Sequence, residues 1–406
     1  MNLRCLLSAA LLALCLGESA RALIIFESAT SSNNTFNTIN PSDPSTHPTG
    51  AASGVPWQYV VRYGINNASG VYIGNGFLLT ARHVGALNSG LTINGTDYNR
   101  DTTFAPVPIT IRGSPANATV DLQLQKILGD PGLPRLPIAG PTTTDLNQAC
   151  VLLGWGRGKG AIITGEGWNW GDSTTYGFRW GNNTTTNTIY AGNYTHSGTA
   201  YSFNLIGCAF NSNRGPNEAA GTNGDSGGPL FIRVGGVWTL AGTAATVSTP
   251  DSSRYDKNPF LPGDQDSHLT AHARLRDYSW VLRFDHWKTK HGIPLAAPDT
   301  QDDDADGVPL LLEYGLGMDP SLPDADLLPK ATWESGQLAL TFRRLASATD
   351  VRLEIETTSN LSTGWSPATP PLTVTNGTSV FQTVKALLAV PPGGQLFARV
   401  RVIKLN

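Results

Sequence analysis

From Val55 to about Val247 the chain is a succession of short apolar or alternating runs broken by Gly, Asn and Pro. Among them are "WQYVVRY", "GVYIGNGFLLTA", "VPITIRG", "VDLQLQKIL", "CVLLGWG", "GPLFIRV" and "VWTLAGTAATV". Their length and β-branched content fit strands, and the residues that separate them are turn formers. Parallel strands need long crossovers, usually helical, and no long helical pattern alternates with these runs. The expected fold is therefore mainly β, an antiparallel barrel or sandwich rather than α/β. A total of 44 Gly and 27 Pro in 406 residues supplies the turns that so many strands require. The net charge of −3 gives no electrostatic case for nucleic acid or an anionic membrane as a partner.

Residues 1–22, "MNLRCLLSAALLALCLGESARA", carry Arg4, an apolar run from Cys5 to Leu16 and a small-x-small end at Ala20-Arg21-Ala22. This pattern predicts a signal peptide cleaved after Ala22, since the run is too short to span a bilayer. The mature chain is then expected to be exported, without a transmembrane segment, and secreted, periplasmic or held at the cell surface. Residues 23–54 are rich in Ser, Thr, Asn and Pro and read as a flexible leader. Cys5 and Cys15 leave with the signal, and Cys150 and Cys208 remain. Export permits a disulfide between them, and the sequence leaves that pairing open.

Further along, "HARLRDYSWVLRFDHWKTKHG" has near-helical apolar spacing at Leu275, Tyr278, Val281, Leu282 and Phe284, closed by Gly292 and Pro294. From Asp299 to Asp326 there are nine acids and no Lys or Arg. Alternating runs return after Lys330 ("QLALTFRR", "VRLEIETTS", "QLFARVRVI"). The expected organisation is a β domain over 55–285, a helix end and acidic linker over 286–326, and a small β-sandwich over 327–406.

Acyl-transfer hydrolysis by a serine needs a base to activate the hydroxyl, a carboxylate to orient the base, and N–H donors for the oxyanion. His83 follows the apolar run Phe77–Leu79; Asp121 opens the alternating run "VDLQLQKIL"; Ser226 lies in "TNGDSGGPL". Each alone has an ordinary reading: an exposed or structural histidine, a strand-start aspartate, a surface turn. Together, with glycines at 224, 227 and 228 allowing close backbone approach, they suit nucleophilic catalysis.

These blocks resemble the chymotrypsin-like serine protease family. "LLTARHV" is similar to its histidine block, "VDLQLQKI" to its aspartate block, "CVLLGWGRGKG" to its Cys-x-x-x-Gly-Trp-Gly strand, and "GDSGGPL" matches its serine block letter for letter. "PWQYVVRY" resembles the segment before its first barrel strands. The order His, Asp, Ser is the family's, with spacings of 38 and 105 residues. The resemblance covers about residues 55–285. It implies two barrels with a cleft between them and a serine endopeptidase acting on protein or peptide substrates, with no cofactor for catalysis. Ser226 would be nucleophile, His83 general base, Asp121 its orienting acid, and the N–H groups of Gly224 and Ser226 the oxyanion hole. By the same alignment Ala220 would lie at the base of the substrate pocket, with Ala245, Thr246 and Val247 along the substrate-pairing strand. Alanine at 220 does not support cleavage after Lys or Arg, and a preference for small or apolar side chains is expected. Two features depart from the family. Arg82 replaces its usual alanine, and the Ile-Val-Gly-Gly start that pairs with the aspartate before the serine is absent, so the partner of Asp225 is open.

The acidic linker holds "DDDADGVPLLLEY", in which Asp302, Asp304, Asp306, Gly307 and Glu313 fit the twelve-residue calcium-loop template. Alternate carboxylates can converge on one hard cation, Gly307 allows the sharp turn, and Val308 offers its carbonyl. A structural Ca2+ is the expectation; the plainer alternative is a solvated acidic linker. The same stretch resembles hinges before C-terminal β modules of secreted Verrucomicrobia–Planctomycetes-type proteins, which implies a cell-surface or sorting partner for residues 327–406. Two other functions stay in view: a catalytically silent adhesin on the same fold, and a surface- or carbohydrate-binding protein using "GWNWGDSTTYGFRWGNN". The first predicts a damaged triad; the second predicts exposed aromatics.

Overall fold

A computed structural model describes residues 23–405 except 29–30, 35, 41–42, 64–67, 87–88, 111–118, 164–166, 212–213, 249–253, 257–268, 363, 378–379 and 392–393. The expected signal peptide lies outside the described residues. The chain divides into two compact units between Asp277 and Tyr278.

Beside a three-stranded and a two-stranded sheet, the first unit contains two large antiparallel β bodies. One is a seven-stranded sheet in the order Thr96–Tyr98, Leu91–Ile93, Val60–Tyr63, Ala68–Gly74, Phe77–Thr80, Thr119–Lys126, Val107–Thr110. The other is a closed six-stranded barrel of Gly177–His196, Thr199–Ala209, Leu269–Arg274, Val237–Ser248, Pro229–Val234 and Ala149–Gly156. Closure leaves this barrel without a free sheet edge. A cluster including Leu23, Cys150, Leu152, Cys208, Leu230, Ile232 and Ala241 packs within the barrel unit. The sulfurs of Cys150 and Cys208 are 3.6 Å apart and unbonded. Burial, first of all, and the neighbouring Cys150 push the Cys208 thiol well above its usual range.

The segment expected to be a flexible leader is instead built into this unit. Ile24 and Ile25 pair with Ala220 and Ala219, and the Phe26 N–H donates to the Glu218 carbonyl. The Asn34 side chain exchanges hydrogen bonds with the backbone of Lys159 at 2.6 and 2.7 Å. The run "LIIF" at 23–26 is the physical reason: Leu23, Ile24 and Ile25 are all buried, and a polar composition nearby hid that short apolar anchor.

Helical spacing at 275–284 also resolves differently from the expectation. His272 to Arg274 complete a barrel strand paired on both sides. Short 3-10 turns follow at Leu275–Asp277 and Ser279–Val281, and the α-helix is confined to Phe284–Lys290. Pairing on two edges claims the residues up to Ala273 for the barrel, and regular helix begins only at Phe284.

The second unit carries that helix, a second one at Leu310–Leu316, and two sheets. Four strands (Lys330–Glu334, Gln337–Leu345, Phe381–Ala389, Leu372–Asn376) form one and three (Ser366–Ala368, Val351–Thr358, Phe397–Lys404) the other. Leu340, Phe342 and Val384 from the first meet Ile355 from the second, with Val308, Leu316 and Met318 completing the core. Among the described residues no helix is long and apolar enough to cross a membrane.

Candidate active site

The two catalytic candidates of the seven-stranded sheet are brought together by register. Phe77–Thr80 pairs antiparallel with Thr119–Lys126, with Thr80 opposite Gln123, so the chain leaving Thr80 runs alongside Asp121. A 3-10 turn at Arg82–Val84 then swings His83 over it. The His83 backbone N–H donates to Asp121 Oδ1 at 2.9 Å, and ring Nδ1 lies 2.5 Å from Oδ2. His83 Nε2 is 2.8 Å from Ser226 Oγ. The structure thus joins all three residues in one continuous relay. Asp121 is fully buried. Burial pushes its carboxyl up, but the His83 charge and hydrogen bonds from His83 and Tyr194 outweigh this and hold it below the usual carboxylate range.

Ser226 sits in the turn that enters the barrel strand Pro229–Val234. Ser69 of the sheet rivets that turn in place. Its N–H donates to the Ser226 carbonyl at 2.9 Å, its hydroxyl donates to the Gly224 carbonyl at 2.8 Å, and it accepts the Trp155 N–H at 2.7 Å. Gly227 is what permits this approach. Its φ is +83°, and a Cβ there would lie 2.3 Å from the Ser69 carbonyl oxygen and 2.4 Å from Thr80 Oγ1. Gly224 has φ +109°, again a glycine conformation, beside the serine whose N–H it is expected to complement. Arg82, the departure beside the histidine, is half-buried.

Tyr194 is a residue that sequence reasoning missed. Its hydroxyl donates to Asp121 Oδ2 at 2.5 Å. It comes from the barrel, near the tip of the long hairpin formed by Gly177–His196 and Thr199–Ala209. The tip is turned by Ser197 and Gly198, both at positive φ, as a type I′ turn requires. His196 at the same tip lies 5.1 Å from the His83 ring, and Tyr201 and Phe203 buttress Tyr194. The available signal was the dipeptide Ser197-Gly198 between two alternating runs, a hairpin mark.

Asp225 is buried, and its surroundings supply no close ion pair among the described residues. The Thr222 N–H donates to Oδ2 at 2.9 Å, and Oδ1 has no hydrogen-bond partner. Burial raises the carboxyl to about 8, only partly opposed by the Thr222 N–H and by Arg179. Arg179 donates to the carbonyls of Asn34 and Thr175. Gly154 makes room for this side chain, since a Cβ at 154 would lie 1.8 Å from Asp225 Oδ1.

The pocket candidates divide. Ala245 is buried, while Thr246 and Val247 are half-buried on the strand Val237–Ser248. Ala220 is fully buried in a cluster with Ile24, Trp168 and Phe210, closed by the pairing with Ile24. Trp168 and Trp180 of the Asn- and Trp-rich stretch are also buried, and the Trp168 indole N–H donates to the Ser31 carbonyl at 2.8 Å. Those two aromatics stiffen the fold rather than offer a ligand surface.

In the second unit Asp302, Asp304 and Asp306 each bring an oxygen within 4.8 Å of the others. Glu313, on the helix Leu310–Leu316, is 1% exposed. Burial, then the neighbouring Asp304, Asp306, Asp324 and Asp302, raise its carboxyl to about 8. Val308 turns its side chain into the core and donates its N–H to Asp306 Oδ1 at 2.9 Å.

A comparison with curated proteins finds no match. Among solved structures the chain is similar to the murine norovirus NS6 protease, at 13% identity and a TM-score of 0.32, covering 54% of this chain and 97% of that one. It is similar to Rv3671c of M. tuberculosis H37Rv in its inactive form, at 14% identity and 0.34, covering 60% and 96%. The HtrA-type protease AlgW with decapeptide matches at 14% identity and 0.31, covering 56% and 52%. The family model described as Trypsin matches residues 45–255 of the 406, and the chain belongs to that family of chymotrypsin-like serine proteases.

Proposed function

We propose that the protein is an exported serine endopeptidase that cleaves peptide bonds through an acyl-enzyme on Ser226. The observation that carries this reading is the relay from Ser226 Oγ to His83 Nε2 and from His83 Nδ1 to Asp121. In the forward step Oγ attacks the carbonyl carbon while its proton passes to Nε2. The oxyanion takes hydrogen bonds from the N–H groups of Gly224 and Ser226. His83 then returns the proton to the leaving amine, the C–N bond breaks, and the acyl group stays on Oγ. Water repeats the sequence with the same base and frees the carboxylic acid. Asp121 stays ionised and stabilises the imidazolium each time it forms, and its three donors equip it to keep that charge while buried. Ala220 at the pocket base and Ala245, Thr246 and Val247 along the substrate-pairing strand are the substrate candidates, with small or apolar side chains as the preference. A fluorophosphonate probe tests the reading: wild type is labelled and Ser226→Ala is not. Equal labelling of the two folded proteins, or none of either, refutes it. Cleavage of a peptide library then reads the preference directly.

A further inference from the structure

The acidic loop of the second unit leaves several of its carboxylate oxygens without a partner. Gly307 N–H donates to Asp302 Oδ2 at 2.9 Å, Asp306 N–H to Asp304 Oδ1 at 3.2 Å, and Val308 N–H to Asp306 Oδ1 at 2.9 Å. These bonds shape the loop and leave other oxygens over. Asp304 Oδ2, Asp306 Oδ2 and both oxygens of Glu313 are buried with no hydrogen-bond partner. Asp324, in the loop after the helix, behaves the same way. Its Oδ2 accepts the Asp319 N–H at 3.2 Å, and its Oδ1 is buried and unpartnered.

Among the described residues Asp302, Asp304 and Asp306 bring oxygens within 4.8 Å of one another. Asp304, Asp306 and Asp324 all act on Glu313, and five bare buried oxygens so placed are costly. An unpaired buried charge is far more expensive than a paired one, and like charges compound the cost. Residues 299–326 contain no Lys or Arg, and Arg343, from outside the segment, only partly opposes burial at Asp324, whose carboxyl stays raised. Arg343, which lies near Asp324, donates to the Gly317 carbonyl at 2.8 Å. A donor set made only of oxygen, and strongly anionic, selects a hard divalent cation. A buried Glu able to bind through both oxygens, with several more carboxylates around it, suits calcium, which takes roughly six to eight oxygens. Magnesium prefers to keep several waters.

We propose that Asp302, Asp304, Asp306, the Val308 carbonyl and Glu313 bind one calcium ion, and that Asp324, outside the twelve-residue template, is a further ligand. The ion ties the helix Leu310–Leu316 to the loop that leads into strand Lys330–Glu334. Val308, Leu310 and Leu316 are anchored in the core on the helix side, so the ion acts as a structural staple of the second unit.

The test uses the full mature chain, stripped with EDTA and titrated with CaCl2 by calorimetry and thermal unfolding. Wild type binds one calcium per chain and unfolds at a higher temperature when loaded. Glu313→Gln weakens binding about 100-fold and Asp324→Asn about 10-fold. Asp303→Asn, an exposed neighbour, binds as wild type does. Folded wild type that shows neither heat nor a thermal shift with CaCl2 overturns the site. Asp324→Asn with wild-type affinity overturns the added ligand. If Glu313→Gln does not fold, the wild-type titration and Asp324→Asn still decide both points.

Discussion

Asp121 in the first unit and Glu313 in the second are both buried carboxylates, at 0% and 1% exposure, and their surroundings are opposite. Asp121 receives three donors, two from His83 and one from Tyr194, and its carboxyl is held low. Glu313 receives none, faces four further acids, and its carboxyl is pushed up to about 8. Burial raises both groups equally in kind; what differs is whether the protein supplies the compensating charge. Asp121 has its partner built into the chain as His83, which meets it through both backbone N–H and ring. Glu313 has no hydrogen-bond donor among the described residues to offset its burial. A buried acid therefore marks a catalytic orienter or a cation ligand according to the donors around it, and burial alone does not say which.

The largest expected effect breaks the first half of this contrast. Ser226→Ala should lower turnover on the order of 10⁶-fold, measured on a peptide substrate taken from a library screen. Asp121→Asn should cost about 10⁴-fold, because an amide holds the wrong histidine tautomer. A loss below about 10-fold would mean that Asp121 does not orient His83. On the other side of the contrast, Glu313→Gln should weaken calcium binding while removing one of the repelling charges. Unlike Asp121→Asn, it leaves the relay atoms untouched.

Tyr194→Phe sharpens the comparison by removing one donor from Asp121. Turnover should fall about 10-fold, close to 1.4 kcal/mol, with KM unchanged. The hydrogen bond from Tyr194 lowers the Asp121 carboxyl, so its loss leaves a more basic carboxylate on His83 Nδ1 and, through that contact, moves the acid limb of the kcat profile to higher pH. An unchanged pH profile would reduce Tyr194 to a packing residue.

The smallest effect concerns Asp225, a buried acid in the first unit that resembles Glu313 more than Asp121. Its carboxyl is raised to about 8, against roughly 4 in an unfolded chain. Between those values the unfolded state has released a proton that the folded state keeps, so stability falls as pH rises through the window. Asp225→Asn removes this dependence. Its melting temperature should gain on wild type between pH 5 and pH 8 by ~2–4 °C for each kcal/mol recovered. A constant difference across that range would show that a cation compensates Asp225 after all.

Much of the site was legible in the sequence because it is carried by short motifs. "GDSGGPL" needs its glycines for a turn that approaches another strand within van der Waals contact, and Gly227 against Ser69 is that contact. The grouping of Asp302, Asp304 and Asp306 was legible for the same reason, since a loop geometry sets their spacing. Ser69, Tyr194 and Asp324 were not. Ser69 and Tyr194 reach residues far away in the chain (Ser226 and Asp121), and Asp324 lies beyond the end of the template. The anchoring of residues 23–26 was hidden too, because its partner strand lies at Ala219–Ala220.

The sequence by itself determined the strand-rich class, the order His83, Asp121, Ser226, and the acidic loop, because side-chain alternation, turn residues and ligand spacing are local properties. Only the tertiary structure decided which donors reach Asp121, which acids have none, and where Ala220 and Trp168 lie. Those depend on pairing between distant strands, and hydrogen bonding in a buried site is fixed by that pairing rather than by neighbours along the chain.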